Sequence, residues 1–128
     1  MLRDIEKYKG KSILVVEDDN ISRTLLKEIF RNTSVAVDFV KSGTEAITYF
    51  DEKAAPNLVL MDIRLPDIDG IELTKRLISK YPELVVVAQT AFANIHMEEK
   101  CMQAGMKAFL TKPINTNEVE RVLKSLDW

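Results

Sequence analysis

The sequence predicts an α/β fold in which a parallel five-stranded sheet is covered by helices on both faces. Short apolar runs rich in Val, Ile and Leu alternate with segments of helical spacing, and three of the runs are apolar almost without a break. This continuous pattern is typical of strands that are buried on both faces. Parallel strands need crossover connections, so the alternation predicts the order βαβαβαβαβα.

The five apolar runs define the predicted strands. They lie at Ser12–Val16, Val35–Val40, Leu58–Met61, Leu84–Ala88 and Ala108–Leu110. The first, third and fourth runs are the near-continuous ones. Because crossover connections are right-handed almost without exception, few arrangements of these strands remain.

The first two helices are predicted from apolar stripes and capping residues. The first stripe consists of Ile21, Leu25, Leu26, Ile29 and Phe30. Asp19 or Asn20 can cap this helix, because their side chains accept from backbone N–H groups. Ser42 and Glu45 stand three residues apart, as in a capping box, and open the second helix. The apolar residues that follow in this helix are Ala46, Ile47 and Phe50.

The last three helices are predicted in the same way. The third has an apolar group of Ile71, Leu73, Leu77 and Ile78. It ends at Tyr81-Pro82, because a proline disfavours helix at the preceding residue. The fourth covers Ile95 to Ala104, with Gly105 in the usual place after a helix end. The fifth begins at a capping box from Asn115 to Glu118, and its stripe is Val119, Val122, Leu123 and Leu126.

Length and composition indicate one domain over residues 1–128, with a core of about residues 11–126. The net charge of −2 argues against direct nucleic-acid binding by this domain. The apolar runs are too short to cross a bilayer, and residues 1–11 lack the apolar stretch of a secretory signal. A single cysteine, Cys101, fits a reducing interior. We therefore expect a cytoplasmic domain without membrane contact.

Acidic residues follow the first and third strands. Glu17, Asp18 and Asp19 come after the first strand, and Asp62 comes after the third. Open sheets bind ligands at the carboxyl ends of their strands, near the point where strand order reverses. If the order is 2-1-3-4-5, these acids converge at the centre. Carboxylates that lie close together repel, and a divalent cation relieves the repulsion; hard oxygen ligands favour Mg²⁺ or Mn²⁺.

Polar residues after the last two strands complete the predicted site. They are Gln89, Thr90 and Ala91 after the fourth strand, and Thr111, Lys112 and Pro113 after the fifth. Lys112 can pair with Asp62 in the resting protein, and with a phosphate oxygen after a phosphoryl group has been transferred to the site. The Thr90 hydroxyl and the backbone N–H groups of Arg64 and Ala91 can donate to phosphate oxygens.

Asp62 is predicted to accept a phosphoryl group. An aspartate with an ordinary pKa of about 3.9 is already ionised at neutral pH, so it needs no general base. Phosphoryl transfer mainly requires positioning and charge neutralisation, which a metal ion and a lysine provide. The single histidine, His96, cannot build a two-histidine zinc site and is expected at the surface or at a helix start.

Four segments carry a family resemblance over essentially the whole chain. They are residues 13–19 (ILVVEDD), residues 58–70 (LVLMDIRLPDIDG), Thr90-Ala91 and Lys112-Pro113. Each is weak by itself, but together, in order and at the right strand ends, they are specific. With them the chain resembles the receiver domain of two-component response regulators. The resemblance implies a flavodoxin-like (βα)5 fold with sheet order 2-1-3-4-5.

The resemblance also implies roles for the site residues. Asp62 would receive its phosphoryl group from a phosphohistidine on a histidine kinase or a histidine phosphotransfer protein. Asp18 and Asp62 would ligate Mg²⁺ directly and Glu17 through water, and the carbonyl of Arg64 would complete the protein ligands. The bond between Lys112 and Pro113 is expected to be cis.

The resemblance also implies a conformational switch and a lifetime for the phosphorylated state. Thr90 and Phe109 would move together and reshape the face formed by the fourth helix, fifth strand and fifth helix, through which a homodimer could form. Because Phe109 has no hydroxyl, this coupling would run through packing alone. In the family, the residues two past the acceptor and two past the threonine influence water access. Here they are Arg64 and Phe92, and the bulky ring predicts slow self-hydrolysis.

Two other functions stay open at this point. One is an aspartyl-phosphate phosphohydrolase, although such enzymes usually carry a second aspartate where this chain has Arg64. The other is a receiver-like docking domain without phosphorylation, against which the complete site argues. The chain could be a stand-alone regulator or part of a hybrid sensor kinase, whose receivers the segments at residues 19–20 and 90–94 somewhat resemble. In the leading interpretation it acts by changing partners and is not a conventional enzyme.

Overall fold

The computed structural model describes residues 8–128, and the part of the charged amino-terminal segment at residues 1–7 lies outside the described residues. Ten elements alternate along the chain: β1 (Ser12–Val16), α1 (Asn20–Phe30), β2 (Ala36–Val40), α2 (Gly43–Glu52), β3 (Leu58–Asp62), α3 (Gly70–Lys80), β4 (Val85–Thr90), α4 (Ile95–Gln103), β5 (Ala108–Thr111) and α5 (Thr116–Ser125). The strands are parallel and lie in the order β2-β1-β3-β4-β5. The predicted fold class and strand order are confirmed.

The sheet separates two apolar clusters because successive side chains of a strand point to opposite faces. One face packs against α2, α3 and α4; its strand residues are Leu14, Val16, Val59, Met61, Val86 and Ala88. The other face packs against α1 and α5; its strand residues are Ile13, Val15, Leu58, Leu60, Val87 and Leu110. All residues of β3 are buried, whereas the edge strand β2 is partly exposed. None of the helices described within residues 8–128 has the length and hydrophobicity that a membrane span requires.

The predicted apolar stripe of α1 is wrong at its amino-terminal end. Ile21 is 72% exposed and Leu25 is 37% exposed, whereas Leu26, Ile29 and Phe30 are buried. The three buried residues share one face at helical spacing. The other two residues therefore lie on the flank of the helix. In the same way Ile47 and Ile95 are exposed on α2 and α4.

The helix starts follow the predicted caps only in part. Asp19 caps α1 and accepts the Ser22 N–H at 2.9 Å. Ser42 accepts the N–H of Glu45 at 3.1 Å, but the Glu45 carboxylate accepts the N–H of Lys41 and does not close a reciprocal box. At α5 the Glu118 carboxylate accepts from Arg121 Nε, one turn later, so Asn115 alone caps this helix.

Trp128 lies at the edge of the sheet where the strands begin. Its ring centroid is 6.2 Å from that of Tyr8, and Lys11 Nζ is 5.2 Å from the Trp128 centroid. Lys11 directly precedes β1. The carboxyl chain end therefore packs at the opposite edge of the sheet from the acids that follow β1 and β3.

Candidate functional site

Three acids meet at the carboxyl ends of the two central strands. Glu17 and Asp18 follow β1 and Asp62 ends β3, and each of the three offers a carboxylate oxygen within 4.8 Å of the others. Glu17 is fully buried, Asp62 is 5% exposed, and Asp18 is exposed. They converge because β1 and β3 are neighbours in the sheet.

Lys112 directly follows β5 and reaches this acidic cluster across β4. Its Nζ forms an ion pair with Glu17 Oε1 and lies 3.4 Å from Asp62 Oδ2. Desolvation lowers the pKa of Lys112, but its bonds to Glu17 and Asp62 outweigh this and raise the pKa overall. The ammonium group is therefore held in its charged form. The peptide bond between Lys112 and Pro113 is cis.

The environment of Asp62 disfavours its charge. Burial, followed by the hydrogen bond and the negative charge of Glu17, raises the Asp62 pKa to about 7, although Lys112 and the Arg64 N–H act in the opposite direction. The expectation of an ordinary carboxyl pKa for Asp62 is therefore wrong, because sequence alone does not show how deeply Asp62 and Glu17 are buried together.

A divalent cation would relieve this repulsion. The three acids offer only carboxylate oxygens, which suit a hard ion such as Mg²⁺. A cation beside Asp62 favours its ionised form. The residues present therefore fit such an ion.

The β3–α3 loop, residues 63–69, is tied to the start of α2. The Asp67 carboxylate accepts the N–H groups of Gly43 at 2.9 Å and Thr44 at 2.8 Å, and also the Thr44 hydroxyl. The Thr44 hydroxyl bond and the two backbone bonds lower the pKa of Asp67 to about 2. Sequence reasoning missed this contact, for which no local pattern gives a signal.

The same loop is also held at its junction with α3. Asp69 caps α3 and accepts the Ile71 N–H at 2.7 Å. Gly70 packs so closely behind Asp62 that a Cβ there would lie 2.1 Å from the Asp62 backbone oxygen. The N–H of Arg64, in this loop, donates to Asp62 Oδ1 at 3.1 Å.

Thr90 and Phe109 lie on the α2–α4 face of the sheet. Thr90 is buried at the end of β4, and its hydroxyl oxygen accepts the Phe92 N–H at 3.1 Å. Phe109 is half-buried against the cluster on that face. Ala91, the second predicted backbone donor, is exposed. The guanidinium carbon of Arg64 lies 4.3 Å from the centroid of the Phe92 ring.

The structure also places three residues outside the acidic cluster: His96, Cys101 and Gln89. His96 is exposed in the first turn of α4, as expected. Cys101 is buried and free, and burial raises its pKa to about 11. Gln89 was predicted just past the fourth strand, but it lies inside β4 and is buried. A polar residue at the end of a strongly apolar run was the one available signal for it.

Sequence comparison finds relatives in one family. The family model of the response regulator receiver domain matches residues 13–124 of this chain. The polar-differentiation response regulator DivK of Brucella ovis is 34% identical over 117 residues, covering 90% of this chain and 94% of DivK. The hybrid signal transduction histidine kinase L of Dictyostelium discoideum is 30% identical over 131 residues, covering 95% of this chain. The chain spans only 8% of that kinase's length.

Solved structures agree with this result. The receiver domain of the sensor histidine kinase PA1611 from Pseudomonas aeruginosa, which has a magnesium ion coordinated in its active site cleft, is 31% identical with a TM-score of 0.79. The match covers 91% of this chain and 96% of that domain. A CheY-like receiver domain protein from Methanospirillum hungatei is 28% identical with a TM-score of 0.82, covering 91% and 94% of the two chains.

Proposed function

The chain belongs to the family of response regulator receiver domains, and from that premise we propose that it is the phosphoacceptor of a two-component phosphorelay, with Asp62 as the acceptor. One observation supports this most directly. Glu17 and Asp18 each offer a carboxylate oxygen within 4.8 Å of one of Asp62, and the Lys112 ammonium group lies 3.4 Å from Asp62 Oδ2. This is the charge arrangement that phosphoryl transfer to a carboxylate requires.

The proposed reaction takes place at one carboxylate oxygen of Asp62. That oxygen forms a bond to phosphorus while the P–N bond of a partner's phosphohistidine breaks, and the electron pair of that bond returns to the imidazole nitrogen. A Mg²⁺ ion held by Asp18, Asp62 and the Arg64 carbonyl, with Glu17 bound through water, would neutralise the negative charge of the acids and the phosphoryl group.

The remaining residues position the phosphoryl oxygens. Lys112 is charged and already within reach of Asp62, so it can exchange the carboxylate for a phosphoryl oxygen. The Arg64 N–H, which donates to Asp62 at 3.1 Å, and the N–H of Ala91 are the proposed backbone donors. The Thr90 hydroxyl donates to the same group, and its movement together with Phe109 alters the face formed by α4, β5 and α5. That face is the proposed output and dimer surface.

Labelling with radioactive acetyl phosphate and Mg²⁺ tests the proposal. We expect one stable, Mg²⁺-dependent acyl phosphate per chain, and no label in Asp62→Asn. The matched control is Asp51→Asn, which makes the same change at an exposed aspartate on α2 and should label normally. Rapid multiple turnover would instead identify a phosphohydrolase. No reaction, or label that persists in Asp62→Asn, would overturn the assignment.

A further inference from the structure

Gln89 is a polar side chain buried beside the acceptor. It is 0% exposed, and within residues 8–128 neither its Oε1 nor its Nε2 has a hydrogen-bond partner. Buried carboxamides are hydrogen-bonded in the large majority of proteins, because desolvation without a partner costs free energy. An apolar residue at this position would avoid that cost, so the carboxamide calls for an explanation.

The sheet register places Gln89 in the same row as the acids. Val15, Leu60 and Val87 belong to the cluster on the α1–α5 face. The residues two positions later along the chain continue on the same face, and they are Glu17, which directly follows β1, Asp62 at the end of β3, and Gln89 within β4. Gln89 is also the direct register partner of Asp62. Its side chain therefore lies next to that of the proposed acceptor.

Lys112 has to cross β4 to reach the acids. It follows β5, whereas its partners Asp62 and Glu17 belong to β3 and β1, and β4 lies between them. Lys112 stands two residues after Leu110 of the α1–α5 cluster, so its stem crosses β4 on that face. The last residue of β4 on this face is Gln89, the register partner of both Asp62 and Leu110, so the lysine stem passes close to its side chain on the way to Asp62.

We propose that Gln89 is a positioning residue for Lys112, and that its Oε1 accepts an N–H of the ammonium group once Asp62 carries the phosphoryl group. In the unphosphorylated protein the ammonium group pairs with Glu17 and Asp62. Metal binding and phosphoryl transfer give both carboxylates new partners, whereas an ammonium group keeps three N–H donors. Gln89 supplies an acceptor that neither event removes. The inference rests on the proposed function of Asp62.

Gln89→Leu separates this role from a structural one. Leucine has a similar size and removes both unpaired polar atoms, so the variant should unfold at the same temperature as the wild type or higher. Its affinity for beryllium fluoride with Mg²⁺, a stable mimic of the phosphoryl group, should fall about tenfold, because a bond to a charged donor is lost. Its affinity for Mg²⁺ alone should not change. Chemical-shift titrations measure both affinities without any turnover.

Two controls make the result specific. Gln103→Leu is the same change at an exposed position on α4, and it should leave both affinities unchanged. In a Lys112→Met background, Gln89→Leu should have no further effect on beryllium fluoride affinity, because its partner is gone. In the wild type, the side-chain carbonyl carbon resonance of Gln89 should shift when beryllium fluoride binds, a readout that needs no variant to fold.

The outcomes distinguish the two levels of the argument. If the wild type binds beryllium fluoride at Asp62 but Gln89→Leu binds it equally well, or the Gln89 resonance stays still, the positioning role is overturned and the proposed function stands. If the wild type binds no beryllium fluoride, both fall together.

Discussion

Two loops border the acidic site, and they are held very differently. The β3–α3 loop is fixed through Asp67 to the start of α2 and through Asp69 to the start of α3. In the β4–α4 loop, residues 91–94, all four residues are exposed. There Phe92 bonds back to Thr90, and Asn94 caps α4. The loop that carries the proposed metal ligand is thus fixed in advance, and the one next to the proposed switch is held mainly at its ends.

This difference suits the two tasks. A binding group that is already in place loses little entropy when its ligand arrives. A segment with few buried contacts rearranges at low cost. Because the Arg64 guanidinium stacks on Phe92, the two loops also touch across the site. Variants on each side should therefore have unequal effects.

The largest effect is expected from Gly70→Ala, which disrupts the fixed loop. The new Cβ would lie 2.1 Å from the Asp62 backbone oxygen and 2.8 Å from Ile63 Cα, and backbone atoms cannot turn aside. Overpacking of this kind costs about 3 kcal/mol or more, which denaturant unfolding would measure. Gly105→Ala is the comparison: its Cβ would meet only the flexible end of Ile78 at 2.8 Å, and its cost comes mainly from the backbone φ of +102°, which disfavours a side chain by about 1–2 kcal/mol. A greater loss in Gly105→Ala would contradict the comparison.

A smaller loss is expected from Asp67→Ala, which releases the fixed loop without a clash. Ser42→Ala is a matched control because it removes a cap from the same helix without touching the loop. Both should lower stability, but only Asp67→Ala should speed amide hydrogen exchange at Gly43 and Thr44, and at Arg64. Equal exchange at Arg64 in both variants would show that Asp67 does not hold the loop.

The Asp67 contact also predicts a pH dependence. The folded pKa of about 2 lies below the unfolded value of about 3.9. The stability that this carboxylate contributes is therefore present above about pH 4 and is lost as the pH falls through about 2. The free energies of unfolding of the wild type and of Asp67→Ala should therefore converge as the pH falls from about 4 to about 2. If their difference stays constant there, the carboxylate is not the stabilising group.

The smallest effect on stability is expected from Phe92→Ala, in the freer loop. Losing an exposed contact between a ring and a guanidinium costs about 0.5–1 kcal/mol. We predict that decay of the acyl phosphate accelerates, because removing the ring would open the proposed site to water, whereas Phe92→Leu should keep most of the lifetime by keeping the bulk. An unchanged decay rate in Phe92→Ala would mean that steric shielding is not the cause.

Much of the fold follows from local pattern, and its errors have local causes. The continuous apolar runs identified the buried strands. β4 nevertheless continues through Gln89 and Thr90, because its backbone pairing with β3 and β5 does not depend on side-chain polarity. Ile21 and Leu25 have helical spacing but lie off the buried face, since the face that packs is decided by the sheet and not by the helix alone.

The candidate site was predictable as far as topology reaches. Strand order alone brings Glu17 and Asp62 to one edge, and the ion pair with Lys112 follows from it. Contacts made across loops have no such rule. Asp67 and Gly43 are 24 residues apart in sequence, and their bond depends on a loop path that no motif encodes. The raised pKa of Asp62 likewise depends on burial, which only coordinates supply.

The position of Trp128 decides what spectroscopy can follow. It is the only tryptophan, and it packs on Tyr8 and Lys11, before β1 begins. At about 3.3 Å per strand residue, Lys11 lies roughly 20 Å from Glu17 along β1. Intrinsic fluorescence should therefore respond strongly to loss of the whole fold and weakly to events at the acids. In one sample, Trp128 emission can then report unfolding, while a second probe placed near Phe92 reports binding at the acidic site.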